Sequence, residues 1–136
     1  MSQTVRVLHI DDDPDTRLLL RELLAEVQQP DDDPQFRWLE ASDVEEALEQ
    51  GGAAGVDVVL LDNRLGAREG VDQIPRLRAA WHCPVWVLTG APDRQLEERT
   101  ARQGGEGLLA KDEVMLDGSR LRSWLVRLVR IEQPAR

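Results

Sequence analysis

The chain has 136 residues, 32% charged and 41% hydrophobic, which suits one soluble domain with a buried core. Its net charge of −9, from 26 acidic and 17 basic residues, disfavours the phosphate contacts that hold nucleic acid, so no direct nucleic-acid binding is expected. No apolar run reaches bilayer length, Met1 to Asp13 lacks a signal-peptide core, and the lone Cys83 excludes an internal disulfide; a cytoplasmic protein without membrane association is expected.

The run Val5 to Ile10 is short and β-rich, and it ends in Asp11-Asp12-Asp13. Pro14 fits the first turn of a helix, and Leu19, Leu20, Leu23, Leu24 and Val27 then follow at helical spacing. Asp31-Asp-Asp-Pro34 repeats the letters of Asp11-Asp-Asp-Pro14, but no buried strand precedes it, and a solvated turn is expected there. Phe36 to Leu39 alternates like a strand near an edge. Ser42 and Glu45 have capping-box spacing ahead of a helix carrying Val44, Ala47 and Leu48. Val56 to Leu61 is a nearly continuous apolar strand ending in Asp62. Val71 to Ala80 is helical in pattern, with Pro75 tolerable only if the helix starts late. Pro84 to Leu88 is a strand ending in Thr89, and Pro92 to Gln103 is a helix with Leu96 almost alone as an apolar anchor. Gly107 to Ala110 is a last strand, followed by Lys111. The final helix places Leu121, Trp124, Leu125, Leu128 and Val129 on one face, and the arginines beside them (Arg120, Arg122, Arg127, Arg130) read as its solvated side.

Five strands alternating with five helices give an α/β domain with a doubly wound parallel sheet; strands covered on both faces read as continuous apolar runs. One domain over residues 1–136 is expected, with its core between about residues 4 and 131 and no output domain after the last helix. In such sheets the ligand lies beyond the carboxyl ends of the strands. Four of the five strands end in Asp11-Asp12-Asp13, Asp62, Thr89 and Lys111, residue types suited to metal binding, nucleophilic attack or oxyanion stabilisation. His9, inside the first strand, reads as a packed or hydrogen-bonded core histidine, and His82 needs no function.

Ile10-Asp-Asp-Asp-Pro14, Val58-Val-Leu-Leu-Asp-Asn-Arg-Leu-Gly66 with Gly70 closing the loop, Leu88-Thr-Gly90 and Leu108-Leu-Ala-Lys111 resemble, in order, the receiver domain of bacterial response regulators. The resemblance runs from Val5 to the last helix and implies the flavodoxin-like strand order 2-1-3-4-5. It implies that Asp62 accepts a phosphoryl group, that Asp12 and Asp62 coordinate Mg²⁺ with the backbone carbonyl of Arg64, and that Asp11 orients a metal-bound water. Lys111 and Thr89 would stabilise the phosphoryl oxygens. In that strand order the first and third strands are neighbours. Two carboxylates about 4 Å apart repel by roughly 4 kcal/mol at an effective dielectric near 20, so three call for a cation.

The implied partners are a sensor histidine kinase or phosphotransfer protein, a downstream protein target and, by family habit, a second copy in a homodimer. Catalysis would be confined to the chain's own phosphorylation and dephosphorylation. The sequence departs from the family pattern where Asp112 follows Lys111 in place of proline. A cis bond there would cost about 3–4 kcal/mol, so a trans bond is expected. Leu108 stands where an aromatic switch residue is usual, and the chain has no tyrosine. Gly66 stands where proline is common. Leu108 and Asp112 leave open a phosphorylation-independent interaction module. A metal-dependent phosphatase of the haloacid-dehalogenase type would want an acid where Arg64 stands.

Overall fold

A computed structural model describes residues 3–51, 55–65 and 68–132. Val5, Val7, Val58, Val59 and Val85 supply the β-branched side chains that favour extended backbone, and the strands form where they cluster. In chain order the elements are β1 (Thr4–Ile10), α1 (Pro14–Val27), β2 (Gln35–Ala41), α2 (Val44–Gly51) and β3 (Val58–Asp62). A 3-10 turn (Gly70–Gln73) runs into α3 (Ile74–Trp81), followed by β4 (Val85–Thr89), α4 (Arg94–Arg102), β5 (Gly107–Ala110) and α5 (Gly118–Glu132).

The five strands form one parallel sheet in the order β2-β1-β3-β4-β5. This is the expected 2-1-3-4-5. After β2 the chain crosses back over β1 to place β3 on its other side, so the order reverses between β1 and β3. Residues alternate across the sheet. Leu8, Ile10, Val59, Leu61, Val85 and Val87 pack with Val44, Ala47, Ile74, Leu77 and Leu96 of α2, α3 and α4. On the opposite face Val5, Val7, Val58, Leu60 and Leu88 pack with Leu20 and Leu24 of α1 and Leu121, Leu125 and Leu128 of α5. β2 is an edge strand, as its alternation foretold, and Pro75 stands in the first turn of α3.

The structure corrects three local expectations. The capping box of α2 is shifted by one residue: Asp43 accepts from the Glu46 N–H at 2.8 Å, and the Glu46 carboxylate takes the Ser42 N–H at 3.0 Å. Asp43 caps with an ionised acceptor, which the positive end of the helix dipole favours. In α1 the buried leucines are Leu20 and Leu24, while Leu19 turns outward and is 41% exposed. In α5 Trp124 is only half-buried, with the guanidinium of Arg127 over its ring at 4.8 Å. Gly66 and the side chains of Val129 and Arg130 lie outside the described residues.

Two small elements were not expected. Arg64–Leu65 and Arg68–Glu69 pair as a short antiparallel ladder beyond β3, and Lys111–Val114 forms a single helical turn after β5. Gly70 closes the first of these loops: a Cβ there would overlap the Asp62 carbonyl oxygen, so only glycine fits.

Candidate functional site

The register of β1 against β3 pairs Ile10 with Leu61, so the next residues, Asp11 and Asp62, emerge side by side from the carboxyl edge of the sheet. One carboxylate oxygen from each of Asp11, Asp12 and Asp62 lies within 4.8 Å of the others. Asp11 and Asp62 are buried and Asp12 is exposed. Asp13 takes no part in the cluster. It caps α1, accepting from the Asp15 N–H at 3.0 Å and from the Thr16 hydroxyl at 2.7 Å. The acidic run thus divides its work between the cluster and the helix.

Asp11 is held from several sides. Its N–H donates to the Ala41 carbonyl at 3.0 Å, and its own carbonyl accepts from Arg17 Nη1 at 2.5 Å. Its Oδ1 accepts from the Asp13 N–H at 2.9 Å, while Oδ2 faces His9 Nε2 at 3.4 Å and Lys111 Nζ at 4.0 Å. Burial pushes the Asp11 carboxyl up, but His9, the Asp13 N–H and the Lys111 charge outweigh it, and its pKa is lowered.

Asp62 differs. Burial and the neighbouring Asp11 charge push its pKa up, against the pull of the Lys111 ammonium and the Arg64 backbone N–H. Lys111 Nζ lies 3.1 Å from Asp62 Oδ1, a charge-assisted contact. Lys111 is there because β5 ends at Ala110 and the helical turn begins at once. The Lys111–Asp112 bond is trans, as expected, since the one cis bond among the described residues is Asp33–Pro34.

Thr89 ends β4, buried, with its hydroxyl oxygen accepting from the Ala91 N–H at 3.1 Å. Asp11, Asp12, Asp62, Arg64, Thr89 and Lys111 all line one open cleft of about 970 Å³. All the residues singled out from the strand ends therefore meet in one place. Three carboxylates, one with a buried oxygen (Asp11 Oδ2) that accepts no hydrogen bond, form a hard-oxygen donor set that fits a divalent cation such as Mg²⁺.

The remaining sequence expectations sort cleanly. Asp31 to Pro34 is a turn away from the site, where Asp33 accepts from the Gln3 N–H and Asp32 pairs with Arg122. His82 ends α3 in a left-handed conformation, φ 52°. Leu108 is half-buried against the α2–α3–α4 side of the core. Sequence reasoning missed Glu69 and Arg99. Both line the cleft and form an ion pair, and Arg99 also reaches Asp72 at 3.4 Å, tying α4 to the segment that follows Asp62.

A family model described as the response regulator receiver domain matches residues 7–121. No curated protein matches the chain. Among solved structures, the chemotaxis protein CheY4 of Vibrio cholerae is 21% identical, covering 92% of this chain and 98% of its own, with a TM-score of 0.75. A two-component response regulator from Clostridium difficile is 22% identical, covering 95% and 99%, with a TM-score of 0.77. A response regulator protein from Burkholderia pseudomallei, solved with a phosphorylated aspartic acid, calcium ion and citrate, is 22% identical over 96% of this chain and 76% of its own, with a TM-score of 0.65.

Proposed function

The chain belongs to the response regulator receiver domain family, and from that premise we propose that it is a phosphoacceptor switch with Asp62 as the acceptor. The observation that carries this reading is the Lys111 ammonium 3.1 Å from Asp62 Oδ1, with the carboxylates of Asp11 and Asp12 clustered beside that of Asp62. A carboxylate oxygen of Asp62 attacks the phosphorus of a phosphohistidine. The P–N bond breaks, its electron pair leaves with the imidazole, and an acyl phosphate remains on Asp62. Lys111 stabilises one phosphoryl oxygen, and Thr89 donates its hydroxyl to another.

Asp12, Asp62 and the Arg64 carbonyl would hold Mg²⁺, with Asp11 orienting a bound water; the ion supplies charge neutralisation for the transferring group. The relative from Burkholderia pseudomallei, with its phosphorylated aspartate and a divalent ion, supports the assignment by analogy. The phosphoryl donor is a sensor histidine kinase or a phosphotransfer protein in the cytoplasm, and the phosphorylated form binds a downstream protein target differently from the free form. Turnover is limited to the chain's own phosphorylation and dephosphorylation.

The test is intact mass spectrometry after incubation with acetyl phosphate and Mg²⁺. One added phosphoryl group is expected, absent in Asp62→Asn and after chelation. A chain that stays unmodified would favour the interaction-module reading left open by Leu108.

A further inference from the structure

His9 is fully buried in β1, on the same sheet face as Val5 and Val7, where an apolar side chain would meet no polar demand. Burying an imidazole there disfavours folding unless its nitrogens are hydrogen-bonded. Its ring is fixed against Trp38, with centroids 5.7 Å apart and planes tilted by 53°. Its Nε2 lies 3.4 Å from Asp11 Oδ2, and both are buried atoms that make no hydrogen bond. Oδ2 is the one part of Asp11 without a close hydrogen bond: Oδ1 is taken by the Asp13 N–H, the main chain is tied to Ala41 and Arg17, and Lys111 stands off at 4.0 Å.

We propose that His9 is a positioning residue: it donates its Nε2–H to Asp11 Oδ2 and so holds that carboxylate in the orientation that serves a divalent cation. Outer partners that orient a liganding group affect metal affinity by about 10- to 100-fold when removed. The inference rests on the proposed function, since it assumes that the acidic cluster binds Mg²⁺. The position of Nε2 matters to it, because Nε2 is nearer to Oδ2 than the Lys111 ammonium is.

Glutamine and methionine are nearly the same length and bulk, and only glutamine carries a donor near the position of Nε2. Mg²⁺ binding by the intact chain is therefore measured calorimetrically for wild type, His9→Gln and His9→Met, with the Tm of each recorded without Mg²⁺. The expected result is a Kd about ten-fold weaker in His9→Met, a Kd within about three-fold of wild type in His9→Gln, and similar Tm values for the two variants. Wild-type affinity in His9→Met, equal weakening in both variants, or unfolding of His9→Met alone would each overturn the proposal. Failure of the proposed function has a different signature, because wild type itself would then bind no Mg²⁺.

Discussion

Arg64 sits two residues beyond the proposed acceptor Asp62, exposed and lining the cleft, while its backbone N–H supports the Asp62 carboxylate. In the proposed reaction water would reach a phosphoryl group on Asp62 through that cleft, whereas the attack of Asp62 on a donor would rest on Lys111 and the acidic cluster. Arg64→Ala is expected to change the dephosphorylation rate by several-fold more than the phosphorylation rate; equal changes in both, followed by phosphate release and by mass, would refute this. Single residues of this site were legible in the sequence where a buried strand fixed their direction. Asp62 and Lys111 follow runs that the sheet must cover on both faces, so their side chains had to emerge at its carboxyl edge. Asp43 was harder to pick out, because two adjacent candidates, Ser42 and Asp43, each have an acid three residues on, and only geometry selects between them.

At the scale of elements, α4 is anchored by little. Leu96 and Thr100 are its buried side chains, and the Thr100 hydroxyl satisfies itself on the Leu96 carbonyl at 2.8 Å. Arg99 compensates by bridging to Glu69 and Asp72, so the helix is tied by charge to the segment that follows Asp62. Arg99→Ala is expected to raise amide hydrogen exchange in α4 by about two- to five-fold while leaving β1 and β3 unchanged; unchanged exchange in α4 would show that the bridge holds nothing. The weak anchoring was visible in the sequence, but the bridge was not. Glu69 and Arg99 are exposed charges far apart in the chain, and no periodicity marks such a pair. The apolar triple Leu18-Leu19-Leu20 was ambiguous for a related reason: three leucines in a row do not say which one faces the sheet.

For the whole molecule, gathering carboxylates at one edge has a cost that depends on pH. A carboxyl whose pKa is raised by folding binds its proton more tightly in the native state, so ionised Asp62 opposes folding above that pKa and ceases to do so as the pH falls through it. Asp11 works in the opposite sense: its lowered pKa stabilises the fold above the ordinary carboxyl range, and that contribution is lost as the pH falls through the lowered value. Asp62→Asn without divalent ions is therefore expected to raise the Tm at pH 7 by about 3–6 °C, with the gain shrinking as the pH approaches the ordinary carboxyl range. Mg²⁺ should stabilise wild type more than this variant. A Tm gain that is the same at every pH would contradict the assignment of charge to Asp62. The fold itself was legible because alternating apolar runs and amphipathic helices leave few ways to cover a parallel sheet.

Lys111 is both the cation beside Asp62 and the first residue of the helical turn that leads to α5. At the start of α5, Gly118 is pressed so closely on the Leu23 carbonyl of α1 that no Cβ would fit. A shift of the Lys111 amine thus has a covalent route, through that turn, to the joint between α1 and α5.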